Sequence, residues 1–151
     1  MQTDIFIMTN YKNPKTTDGN YCFLLRAKTA SGDATYFDNI AHPAAGASRN
    51  RAELMAFNDA LRHMKKPSEI CVHMDTSYIR SAVVLWSAKW LLNDFKNSKG
   101  EEVANADLWK EVFEKLKPHK VNFDVFETPK EGGPAPHEYY KAMQIILKKG
   151  E

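Results

Sequence analysis

The stretch from Ser48 to Asp75 restricts the possible folds more than any other part of this chain. A helical pattern there leads directly into a short apolar run. Leu54, Phe57, Leu61 and Met64 recur at three- and four-residue spacing, one face of a helix that follows the N-cap Ser48 and ends before Pro67. Ile70 to Met74 then reads as a buried strand. A strand reached through a helix is expected to lie parallel to an earlier strand, within a sheet that carries helices on its faces. Each element brings a carboxylate. Glu53 lies in the early turns of the helix. Asp75 lies at the carboxyl end of the strand, the edge where open α/β sheets bind ligands. Two acids brought together in a cleft repel, so they need a cation, a shared proton or a basic neighbour. A divalent metal is the leading expectation.

The flanking segments supply the rest of such a sheet. Asp4 to Asn10 reads as a central strand, Tyr21 to Lys28 as a second and Ala34 to Ile40 as a third near an edge, together an antiparallel meander. Asp18-Gly19 marks a turn in the first loop. Beyond Asp75, Thr76 to Phe95 is mostly helical, with Ile79, Val83, Trp86 and Trp90 on one side. Asn105 opens another helix, Val121, Phe123 and Val125 alternate as a fifth strand, and His137 to Lys149 is a final helix. The order βββαβααβα predicts one α/β domain over residues 1–151, built on a five-stranded mixed sheet with three antiparallel and two parallel strands.

Composition excludes little. At 151 residues the chain can bury a full core, and a net charge of +2 neither requires nor forbids a nucleic-acid partner. Cys22 and Cys71 both fall in apolar runs outside any CxxC pattern, which predicts buried free thiols in a reducing compartment. Met1-Gln-Thr-Asp4 lacks the basic start of a signal peptide, and no apolar run approaches the ~20 residues of a membrane span. A cytoplasmic, monomeric protein without membrane contact is the expectation.

Several motifs, in order and at their spacing, resemble the ribonuclease H family of the cellular and retroviral type. Asn13-Pro14, Tyr21 and Leu24-Leu-Arg26 look like its opening hairpin. Asn50-Arg-Ala-Glu53-Leu is similar to its helix motif, and Asp75-Thr-Ser-Tyr78 to its Asp-Ser-x-Tyr motif. Trp86, Trp90, Gly100, Val103, Asn105 and Asp107-Leu-Trp109 look like its tryptophan-bearing handle and the helix beyond. The resemblance implies an RNase H-like fold and hydrolysis of the RNA strand in RNA/DNA hybrids. It also implies four carboxylates holding two divalent ions, magnesium or alternatively manganese, that clamp the attacking and leaving oxygens.

Glu53 and Asp75 match that carboxylate set, but the other two positions depart from it. Asn10 stands where the family has its first aspartate and Tyr11 where it has glycine. An amide oxygen can still coordinate a metal, without the charge. Glu138 is the nearest match to the last aspartate. Thr128 falls where the family has a loop histidine, with His137 a possible substitute. The implied catalytic and metal-binding set is therefore Glu53, Asp75, Glu138 and Asn10. Candidate nucleic-acid contacts are Ser48, Arg49 and Asn50 at a helix N-terminus, then Ser77, Asn105, Trp86 and Lys89. A hybrid-binding protein with little nuclease activity, or an interaction domain on the same scaffold, remain competing readings.

Overall fold

The computed structural model describes residues 2–11, 17, 19–37 and 40–149. Asn13, Pro14 and Asp18 lie outside them. Strands β1 (Gln2–Thr9), β2 (Asn20–Thr29) and β3 (Gly32–Phe37) form the expected antiparallel meander. The turn between β2 and β3 is tight, with Thr29 opposite Gly32, and Gly32 takes φ 123°, a conformation that glycine adopts without a Cβ penalty. A two-residue strand, β4 (His42–Pro43), adds to the end of β2. Helix α1 (Arg49–Arg62) then leads to β5 (Glu69–Met74), which pairs parallel with β1, and β6 (Lys120–Val125) pairs parallel with β5. The long strands stand in the order β3-β2-β1-β5-β6.

The sheet buries both faces. Ile5 and Ile7 of β1, Ile70, Val72 and Met74 of β5, and Leu54, Phe57 and Leu61 of α1 share one core with Trp109 and Val112 of α4 (Ala106–Leu116). Phe6, Met8, Cys22 and Leu24 point the other way, onto Met143 and Leu147 of α5 (Tyr140–Lys149). The period-two alternation of β1 thus serves two separate apolar layers. Removing all this area from water is the main stabilising term.

Between β5 and α4 the chain forms α2 (Tyr78–Ser81), a π-helical turn (Ala82–Trp86) and α3 (Ser87–Leu92). This corrects the single apolar stripe read from the sequence. Ile79, Val83 and Trp90 do pack inward, but Trp86 is 47% exposed. A π-turn carries an extra residue, which rotates the register by about 100° of helical phase. Trp86 therefore leaves the core face, and Val84, Leu85, Leu91 and Leu92 are also exposed. No helix among the described residues is long and apolar enough to cross a membrane.

Candidate active site

The carboxyl ends of β1 and β5 and the flank of α5 enclose a cleft of about 890 Å³. Ser48 caps α1 at its edge, accepting the Arg51 N–H at 3.2 Å. Arg49, Asn10, Asp75 and Thr128 line the cleft. Glu53 lies one turn beyond Arg49 and is 1% exposed. It is not a first-turn acid, so the helix dipole gives no reason for it. Burying a carboxylate here must have another cause.

Both oxygens of Glu53 are accounted for differently. Oε2 accepts the Thr76 hydroxyl at 2.6 Å. Oε1 is buried without a hydrogen-bond partner, and the nearest cation atom, Arg49 Nε at 3.9 Å, is also without one. An orphaned buried carboxylate oxygen is costly unless a cation or proton meets it. Burial pushes the Glu53 carboxyl up to about 7; the Asp75 charge adds to this, while the Thr76 hydroxyl and Arg49 oppose it. Asp75 is half-buried, and its Oδ2 accepts the Thr128 hydroxyl at 3.1 Å. Its charge also reaches Tyr140, whose hydroxyl is raised by burial first and by Asp75 second. Two carboxylates that sense each other, one with an open buried oxygen, suit a hard divalent cation with oxygen ligands.

The Glu53 shift has a measurable consequence. Between about 4.5 and 7 the native state holds a proton on Glu53 that the unfolded chain has lost. Native stability therefore falls as pH rises through that window, by on the order of 3 kcal/mol. Glu53→Gln should flatten this slope in denaturant titrations run from pH 4 to pH 8 without divalent ions. An unchanged slope would place the titration elsewhere.

The remaining predicted residues divide. Asn10 reaches the cleft, but its Oδ1 accepts the Asn20 N–H at 2.6 Å while its own N–H donates to the Asn20 carbonyl at 3.2 Å. It closes the loop between β1 and β2 and keeps one lone pair for anything else. Tyr11 donates its hydroxyl to the Ala47 carbonyl at 2.8 Å, and its ring lies against Gly19, where a Cβ would come within 2.5 Å. The tyrosine thus fixes the loop before α1.

Glu138 is not brought to the cleft. The final helix starts at Tyr140, later than the spacing predicted, because the ring Nδ1 and the carbonyl of His137 take the Tyr139 and Tyr140 N–H groups at 3.2 Å each. Glu138 lies within that turn and pairs with Arg26 of β2. His137 packs on Phe6 with ring centroids 4.7 Å apart, its Nε2 buried without a partner and its basicity lowered by burial first and by His73 second. It does not line the cleft either.

Helix α5 instead presents Tyr140, Lys141, Gln144 and Lys148 to the cleft. The sequence pattern did not single out Lys141, Gln144 and Lys148, although these three fall on one helical face away from Met143. The wall opposite Asp75 is therefore basic rather than acidic.

Of the nucleic-acid candidates, Arg49 lines the cleft. Ser48 and Asn50 flank it, and Ser77 precedes α2 with an exposed side chain and no capping bond. Asn105 is committed to a network. It sits at φ 62°, a left-handed position asparagine tolerates, accepts Arg51 Nη1 at 3.1 Å and donates to the Tyr78 hydroxyl at 3.0 Å. Lys89 Nζ lies 5.9 Å over the exposed Trp86 ring, away from the cleft residues.

Comparison with known proteins agrees with this architecture. A family model described as RNase H matches residues 11–128. Ribonuclease HI of Haemophilus influenzae is 32% identical over 103 residues, 68% of this chain and 64% of that protein. Ribonuclease H of Gluconobacter oxydans is 36% identical over 76 residues, covering 50% of this chain and 51% of its own length. The chain spans about half to two thirds of the length of these relatives. Among solved structures, LC9-RNase H1, described as a type 1 RNase H with the type 2 active-site motif, superposes with TM-score 0.72 at 16% identity over 98% of this chain and 71% of that one. A foamy viral protease-reverse transcriptase in complex with RNA/DNA hybrid gives 0.62 at 14% identity, over 98% of this chain and 19% of that one. At such identities these two likenesses concern the fold.

Proposed function

This chain belongs to the RNase H family, and on that footing we propose that its cleft takes an RNA/DNA hybrid and hydrolyses the RNA strand slowly. Glu53 and Asp75 would hold a divalent ion, magnesium or manganese, with Asn10 as a weak additional ligand. The observation that carries this reading is the buried, unpaired Oε1 of Glu53 beside the cleft that Asp75 lines. Such an ion, when bound, lowers the pKa of its water and polarises the phosphoryl oxygen.

The chain's own residues have definable tasks. Thr76 and Thr128 hold one oxygen of Glu53 and of Asp75, leaving the others for the ion. Arg49, Lys141 and Lys148 attract backbone phosphates, and Ser48, Asn50 and Ser77 offer polar contacts beside them. Asn105 steadies Tyr78 and Trp109 rather than reaching for a base. Slowness follows from charge. Asn10 brings none, and Glu138 is occupied by Arg26. The cationic α5 wall favours a second reading, in which hybrid is retained but scarcely cut.

Labelled hybrid incubated with magnesium or manganese tests this directly, with Asn10→Asp alongside. The native chain should cut slowly, and Asn10→Asp should cut at least about tenfold faster, a gain of ~1.4 kcal/mol in transition-state stabilisation. Retention of hybrid on a filter without cleavage by either protein would favour the binding reading. Absence of retention at low salt would overturn both.

A further inference from the structure

On the α5 face of the sheet, at the level of Asp4, lies a second polar cluster that the cleft does not use. Asp4 of β1 stands directly opposite Cys71 of β5, and Arg26 of β2 stands opposite Asp4 on its other side. Two residues along, His73 of β5 stands opposite Asp124 of β6. Strand alternation turns all five side chains to one face. None of them lines the cleft. The sequence showed Cys71 as a thiol in an apolar run. The structure leaves it half-exposed beside an imidazole and a carboxylate.

The contacts around His73 lack a cation. Its Nδ1 lies 2.9 Å from Asp124 Oδ2 and its Nε2 lies 2.9 Å from Asp4 Oδ1. A neutral imidazole has one N–H and one lone pair. If it donates to Asp124, its Nε2 lone pair faces the Asp4 carboxylate, which repels it. Arg26 relieves only part of the local charge. Its Nη2 pairs with Asp4 Oδ2 at 2.9 Å, and its Nη1 is taken by Glu138. Two carboxylates, those of Asp4 and Glu138, thus share one guanidinium, while Asp124 pairs with His73. Something positive, a proton or a metal ion, has to lie between Nε2 and Oδ1. Cys71 makes the difference, because its sulfur completes a trio of ligand atoms all within 4.8 Å of one another.

We propose that Asp4, Cys71 and His73 form a zinc site, with Asp124 orienting the His73 ring from the far side. A thiolate and an imidazole select zinc over the hard ions suited to Glu53 and Asp75. Ligand atoms of a tetrahedral zinc site lie roughly 3.5 Å apart, so modest side-chain adjustment brings this trio to the ion. A carboxylate on the second ring nitrogen is the usual support of a zinc-bound histidine. Burial, and then the Asp4 and Asp124 charges, keep the Cys71 thiol protonated in the absence of metal. Binding therefore replaces the thiol proton and releases it to solvent. A water would complete the coordination.

Titration of the full chain with cobalt(II), followed by zinc competition, tests the site. One equivalent of cobalt should produce a near-ultraviolet thiolate-to-cobalt charge-transfer band that zinc abolishes. Cys71→Ser should remove the band, while Cys22→Ser and the pair Glu53→Gln with Asp75→Asn should keep it. The last result separates this site from the cleft. Asp124→Asn should weaken binding about tenfold. No band in excess cobalt would mean that a proton fills the gap, and a band surviving in Cys71→Ser would mean another sulfur. Either would overturn the proposal.

Discussion

Replacing Asp75 with asparagine is expected to lower magnesium and manganese affinity about 100-fold or more, ~2.7 kcal/mol, and to abolish hybrid cleavage with it. Asp75 lines the cleft with Asn10, and Glu53 lies beside it with one oxygen unpaired. With Asn10 uncharged and Glu138 tied to Arg26, Glu53 is the one carboxylate of the predicted set left at the cleft. The fold should survive. Asp75 is half-buried, and its side-chain bond to Thr128 sits in an exposed position. Isothermal titration calorimetry with either metal, beside a denaturation curve, checks both halves. Unchanged heat of metal binding would remove Asp75 from the site. Loss of heat with an unchanged unfolding midpoint would assign it a ligand's role.

Trp109→Ala should be the most damaging single change to stability, costing about 3–5 kcal/mol. Trp109 is 0% exposed. Its ring meets Trp90 at 5.7 Å, Phe113 at 5.4 Å and Tyr78 at 5.8 Å between centroids. Its Nε1 donates to the Tyr78 hydroxyl at 3.1 Å, the same hydroxyl that Asn105 holds. Truncation removes a large buried surface, leaves a cavity and frees Tyr78 at the start of α2. The handle from α2 to α3 should loosen before the sheet does. Urea unfolding gives the stability loss, and hydrogen exchange at residues 78–92 gives the local one. Trp86→Ala is a useful contrast. That ring is half-exposed and should cost far less, although the sequence places it on one apolar side with Ile79, Val83 and Trp90.

That contrast shows where sequence periodicity stopped being sufficient. The stripe through Ile79, Val83, Trp86 and Trp90 assumes 3.6 residues per turn throughout. One π-turn over Ala82–Trp86 changes the phase, and no local propensity announced it. Glu138 lies outside the cleft lining for a related reason. Its role depended on the helix starting by His137, yet the His137 ring and carbonyl, just ahead of α5, take the Tyr139 and Tyr140 N–H groups. Glu53 and Asp75 were legible because each sits at a position set by a strong local signal. Ser48 starts one element, and the apolar run to Met74 ends the other.

The amino-acid order alone determined the succession of strands and helices, the antiparallel meander, the parallel return through α1, and the two acids beside the cleft. These follow from apolar period, caps and breakers, which act over a few residues. Only the tertiary structure decided which charges meet across strands. It gave Glu138 to Arg26, set the lysines of α5 along the cleft wall, left Glu53 Oε1 unpaired, and put Asp4, Cys71 and His73 on one patch of sheet. Register and helix packing set such distances, and electrostatic energy depends steeply on them, so no local pattern in the chain records the outcome.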